Sequence, residues 1–158
     1  MKKIIIFFFT MALAFTASLP ALAQTESEEM DTDIQSEDNQ EYYDNLYQCF
    51  ALLDLYKDDL DSFSSGEIST LTQKWKDTRN NLRWDSAVSC GYIMSVIEPD
   101  ELRDYESELV YGSYYQMAAI ELYILSINNN NDPDLYSLYQ QMAAAAQDFY
   151  SIIPKQLY

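Results

Sequence analysis

From residue 40 to residue 154 the apolar side chains recur every three or four positions, and no stretch alternates between apolar and polar. That spacing puts the apolar residues on one face of an α-helix, whereas a half-buried strand would show a period of two. The chain is therefore predicted to be all-α. Four stripes can be traced. The first helix is predicted over 40–62, with Leu46, Cys49, Phe50, Leu53, Tyr56 and Leu60 on its stripe and Phe63 closing it. The second, over 66–97, carries Ile68, Leu71, Trp75, Thr78, Leu82, Ser89, Ile93 and Val96. The third, over 99–127, carries Leu102, Leu109, Ser113, Gln116, Ile120, Tyr123 and Ile127. The fourth, over 133–153, carries Leu135, Leu138, Met142, Ala145, Phe149 and Ile152.

Local signals punctuate the stripes. Ser64 with Glu67 three residues later fits a capping box. Pro99 and Pro133 follow acidic or polar residues and suit the first position of a helix. Pro154 ends the last helix. The short connections imply neighbouring antiparallel helices, hence an antiparallel four-helix bundle-like domain over residues 42–158. Two candidate internal offsets, 34 between Glu98-Pro99-Asp100 and Asp132-Pro133-Asp134 and 25 between the two Gln-Met-Ala-Ala runs, disagree, so no repeat is read.

Two segments precede that domain. Residues 1–23 have a Lys2-Lys3 start, an apolar run from Ile4 to Phe15 and an Ala21-Leu22-Ala23 end, which together are predicted to act as a cleaved signal peptide. The run is shorter than the roughly 20 residues a membrane span needs, so no membrane anchor is expected after cleavage. Residues 24–41 hold eight acids and only Met30 and Ile34 as large apolar side chains. Such a stretch cannot bury enough surface to offset its ordering entropy and is predicted to be a disordered acidic leader. The expected location is the periplasm or the medium.

Composition removes most enzyme chemistries. The chain has no His, which excludes Ser-His-Asp and Cys-His catalysis, most zinc sites and histidine-ligated haem. Three Gly cannot build a phosphate-cradling loop. The Asp58-Asp59-Asp61 cluster fails the EF-hand spacing. A carboxylate pair for glycoside hydrolysis has raw material but no pointer to any pair. The protein is expected to be no enzyme and to need no cofactor or metal.

Net charge is −17 for 158 residues. After residue 23 the chain keeps seven of the nine bases and all 26 acids, which makes −19. Such a chain is repelled by nucleic acid and anionic lipid and drawn to basic partners. Tyrosine is abundant, with 14 residues. Three pairs lie at helical spacing off the core stripes: Tyr43 with Tyr47, Tyr111 with Tyr115, and Tyr136 with Tyr139. Tyr combines a flat apolar face with a polar tip, which suits protein interfaces and sugar stacking; half-buried packing is the plainer reading. Lys76, Arg79 and Arg83 share one helix face and form a candidate anion patch, or else pair with acids on the next helix.

Cys49 and Cys90 are the two cysteines. An oxidising compartment favours a disulfide. A hairpin turning near residue 64 would leave them out of register by about 11 residues, roughly 16 Å, so the bond requires a bend in the second helix or a later turn. Two buried free thiols are the alternative. The functional expectation is an exported binding protein whose partner is a basic protein, for example an inhibitor or immunity protein for a secreted enzyme. Binding of a cell-wall glycan or small ligand by the tyrosine-rich faces is the alternative, and a homo-oligomer is compatible with the same faces.

Overall fold

The computed structural model describes the backbone of residues 32–154 and the side chains of residues 39–154. The signal segment and residues 24–31 lie outside the described residues. Every regular element among the described residues is helical. They are α1 (Thr32–Leu55), α2 (Lys57–Ser64), α3 (Gln73–Ser95), a 3-10 helix (Asp100–Tyr105), α4 (Glu106–Asn128) and α5 (Pro133–Ile152). Residues 32–41, the end of the segment read as a leader, form the start of α1.

The first predicted helix is two. The chain breaks at Tyr56, and α2 carries Leu60 and Phe63 into the core. The capping box read at Ser64 and Glu67 does not form. Ser64 is the last residue of α2 and donates its hydroxyl to the Asp61 carbonyl. Gly66 then takes φ +79°, a left-handed conformation that glycine adopts without a Cβ penalty. The next helix starts at Gln73, seven residues later than the sequence reading placed it. Its cap is Thr72, whose hydroxyl accepts the Trp75 N–H. Leu71 lies in the connection and is fully outside the core at 89 % exposure.

This later turn resolves the cysteine register. Cys49 lies 15 residues before the end of α2 and Cys90 lies 17 after the start of α3. The two are bonded, with Cα atoms 4.9 Å apart. Tyr56 of the break donates its hydroxyl to Asp85 Oδ2 at 2.6 Å, so the α1–α3 contacts run in opposite directions along the two chains. The α3–α4 contacts do the same. Trp75 Nε1 donates to Asn128 Oδ1 at 2.8 Å, while Arg83, two turns on, meets Glu121. On the other side of α4, Tyr123 stacks on Tyr139 and Tyr115 on Phe149. The turn between α4 and α5 uses Asn130 and Asn131 at φ +56° and +58°, a region that Asn tolerates better than most residues. Asp132 caps α5 by accepting the N–H groups of Asp134 and Leu135, with Pro133 at the first helical position.

The result is a bundle-like, all-helical fold in which α4 is the central element. It is buried on most sides, from Leu109 to Ile127, because α3 and α5 both pack along it. The core has two clusters. One gathers Tyr42, Leu46, Phe50, Ile93, Leu102 and Leu109 around the disulfide. The other gathers Leu52, Leu60, Phe63, Trp75, Leu82 and Ile124 at the opposite end. The fourth stripe is kept at Leu135, Met142, Ala145 and Phe149, which are half-buried, but not at its other two positions. Leu138 and Ile152 are exposed, whereas Ala146 and Ile153 are buried and Tyr139 packs on the core. The Tyr139 ring takes the seam against Tyr123, and the small Ala146 lets α5 lie close to its neighbours.

Candidate functional site

α1 and α5 both lie against α4 but touch each other sparsely, and a groove runs between them. Its position depends on Gly112 in α4. A Cβ there would stand 2.9 Å from Phe50 Cζ and 3.1 Å from Phe149 Cβ. The missing side chain lets the Phe50 ring of α1 and the Phe149 stem of α5 come in over the α4 backbone. Phe50 then stacks on Tyr150, with ring centroids 4.6 Å apart and planes 14° from parallel. Gln147 Nε2 donates to the Phe50 carbonyl at 3.4 Å and ties the two walls together.

The groove has two adjoining lobes. The outer one, about 310 Å³, is lined by Tyr47, Phe50, Ala51, Asp54, Leu55, Gln147 and Tyr150. The inner one, about 230 Å³, shares Phe50, Asp54 and Gln147 and adds Leu53, Gln116, Tyr139 and Ala143. Gln116 comes from α4 and is 1 % exposed. Its Nε2 is buried without a hydrogen-bond partner. A buried amide donor left unpaired is costly, so this atom seeks an acceptor. Asp54 is exposed and contributes the one formal charge of the lining. The Tyr139 hydroxyl is pushed up to about 12, first by burial and then by Tyr123, Tyr136, Asp54 and Asp61 nearby. It is therefore a neutral phenol at physiological pH. A carboxylate, a phenol and aromatic walls can hold a ligand by charge, hydrogen bonds and stacking, with the unpaired Gln116 amide buried beneath them. Among the described residues no group of His, Cys, Asp and Glu is gathered as a metal site would require.

The sequence-predicted tyrosines are distributed over the molecule. Tyr43 donates to Glu101 Oε1 at 2.7 Å, which anchors α1 to the 3-10 helix. Burial and that bond raise its pKa, and the bond lowers that of Glu101. Tyr47 is 62 % exposed and stands at the groove. Tyr111 and Tyr115 both lie beside the Phe149 ring, at 6.1 and 5.6 Å. Tyr136 and Tyr139 cluster with Tyr123 at the other end of α5. Residues 139 and 149 are ten positions apart, about 15 Å along the helix, so the pairs do not form one platform.

The basic stripe is also divided. Arg83 donates from Nε and Nη2 to the two oxygens of Glu121, both at 2.7 Å. This is the fork-to-fork geometry that holds a guanidinium most firmly. Lys74 pairs with Asp59 at 2.7 Å. Lys76 is exposed, and Arg79 keeps a buried Nε without a partner. Asp54, Gln116 and Gln147 were not singled out from the sequence as a site. The available signal was Gln116 itself, a polar residue on the most apolar stripe. No protein-family model matches this chain, and neither a curated protein nor a solved structure does so.

Proposed function

We propose that this chain is an exported, non-enzymatic binding protein of the bacterial cell envelope whose partner is a basic protein. An inhibitor or immunity protein for a basic secreted enzyme is the concrete form of that reading. Residues 1–23 supply the export signal for the periplasm or the medium. The observation that carries the reading is how the few cations are used. Of the six Lys and Arg among residues 39–154, Lys57, Lys74, Arg83 and Arg103 are in ion pairs with acids of the same chain. The same residues include 19 Asp and Glu. Most of the acidic surface is therefore left without an internal counter-charge. Such a field steers a basic protein and discourages nucleic acid and anionic lipid.

The test is capture by the immobilised, oxidised protein from extracts of the source organism and its neighbours, at low and high salt. One stoichiometric basic partner, lost as salt rises, is the expected result. Absence of any captured protein at either salt removes the reading. A second reading, binding of a neutral cell-wall glycan, has one observation in its favour. The groove is lined by a carboxylate and a phenol beside aromatic rings, and sugars use such groups.

A further inference from the structure

We infer that the groove between α1 and α5 is a receptor for one basic side chain of the partner, an arginine or lysine, together with the peptide carbonyl next to it. The inference rests on the protein-binding reading and names the contact that it would use. Three features of the groove select this occupant. Asp54 borders both lobes and has no ion-pair or hydrogen-bond partner among the described residues. It lies in a chain with a strong acidic excess, so the groove attracts a cation. Tyr47, Phe50 and Tyr150 surround the outer lobe, and aromatic rings are favourable neighbours for a guanidinium or ammonium group. Gln116 is among the residues that line the inner lobe, and its Nε2 is buried without a partner; a cation cannot satisfy that donor, whereas a carbonyl oxygen that displaces the cover over it can.

A basic residue within a peptide carries both groups, a cation on a flexible stem and an acceptor on its own backbone. A free metal ion or simple ammonium would leave the Gln116 donor unmet. An anion would face Asp54. A neutral sugar would meet the donor and would donate hydroxyls to Asp54, but it would leave the carboxylate's charge uncompensated. The geometry therefore favours an exposed basic loop of a protein.

The test is NMR titration of the oxidised, labelled protein with N-acetyl-arginine N-methylamide, using the neutral citrulline amide as its match. Saturable shifts at the amides of Asp54 and Gln147 and at the Gln116 side chain are expected, with citrulline weaker by about tenfold. Asp54→Asn is expected to remove the difference between the two amides. Gln116→Leu is expected to weaken both. No saturable shift up to about 20 mM, or equal affinity for the two amides, overturns the inference. So do shifts of the same signals by an N-acetylglucosamine disaccharide where the arginine amide produces none, which would give the groove to a glycan. The inference and the function fail separately. If Asp54→Asn and Gln116→Leu capture a basic partner as well as the parent does, the groove is not its receptor and the protein-binding reading stands. If the arginine amide binds but no protein is captured, the function falls and the groove chemistry stands.

Discussion

The Phe50 ring of α1 occupies the space that a side chain on Gly112 of α4 would need, with only 2.9 Å between Phe50 Cζ and the position of a Cβ. Phe50 is fixed there by its stack on Tyr150, so the ring cannot swing away without disturbing the groove. Gly112→Ala is expected to lower stability by about 1–3 kcal/mol, as overpacking does, although alanine is the better helix former. Gly91 is the control. It also lies inside a helix, and a Cβ there meets nothing within 4 Å. Gly91→Ala is expected to raise stability by about 0.5–1 kcal/mol. Urea midpoints of the two variants check both signs; a gain at both positions would show that the Phe50 contact yields freely.

The Cys49–Cys90 bond ties α1 to α3 across 41 positions of sequence. Chain-entropy reasoning gives a loop of that length a stabilisation of about 4 kcal/mol. Reduction, or the double Cys→Ser change, is expected to lower the unfolding free energy by that order. Urea unfolding with and without a reductant measures it. A midpoint that does not move would mean that the core alone holds the two helices.

Gln116 predicts a conflict between stability and binding. Its unpaired amide is buried under two helices, and an unmet buried donor costs about 1–3 kcal/mol. Leucine has a similar volume and no such donor. Gln116→Leu is expected to stabilise the unliganded protein by about that amount, read from its urea midpoint. Destabilisation would show that the amide has a structural task in the free protein.

The alkaline limb of stability follows from the tyrosines. Tyr56, held by burial and by its bond to Asp85, and Tyr139, held by burial and neighbouring acids and tyrosines, are each pushed up to about 12. The unfolded chain ionises them near the ordinary tyrosine value of about 10. The fold thus favours the neutral phenols. Their contribution is full below about pH 10 and is lost as pH rises toward about 12, because the unfolded state releases its protons first. Urea midpoints between pH 8 and pH 11.5 should be level and then fall, and Tyr56→Phe should soften the fall. A level profile to pH 11.5 would contradict the assignment.

Helix class and the inner residues were legible in the sequence because burial imposes period. Every residue read on the third stripe is buried: Leu102 in the 3-10 helix, and Leu109 to Ile127 because α4 is covered on most sides, with Tyr111 and Tyr114 left on its exposed face. The fourth stripe was legible only in part: Leu135, Met142, Ala145 and Phe149 are half-buried, but Leu138 and Ile152 are exposed. α5 is covered on one side only, and Tyr139, which looked like a surface tyrosine, outcompetes Leu138 for the seam. The start of α3 was missed because Ile68 and Leu71 continue the helical spacing through a connection that Gly66 and Thr72 actually terminate. The groove was not legible at all. It arises where Gly112 lets two helices approach a third, a three-body condition among residues 50, 112 and 149 that no local pattern records. Gln116 stood on the core stripe in the sequence, but only the fold shows that its amide is left unpaired.

The central claim, that the acidic surface captures a basic protein, is tested most directly by the association rate of the captured partner as ionic strength rises from about 0.05 M to 0.5 M. Over that range the Debye length shrinks severalfold. The account predicts a rate constant that falls steeply with salt, by about tenfold or more. A rate indifferent to salt would contradict it.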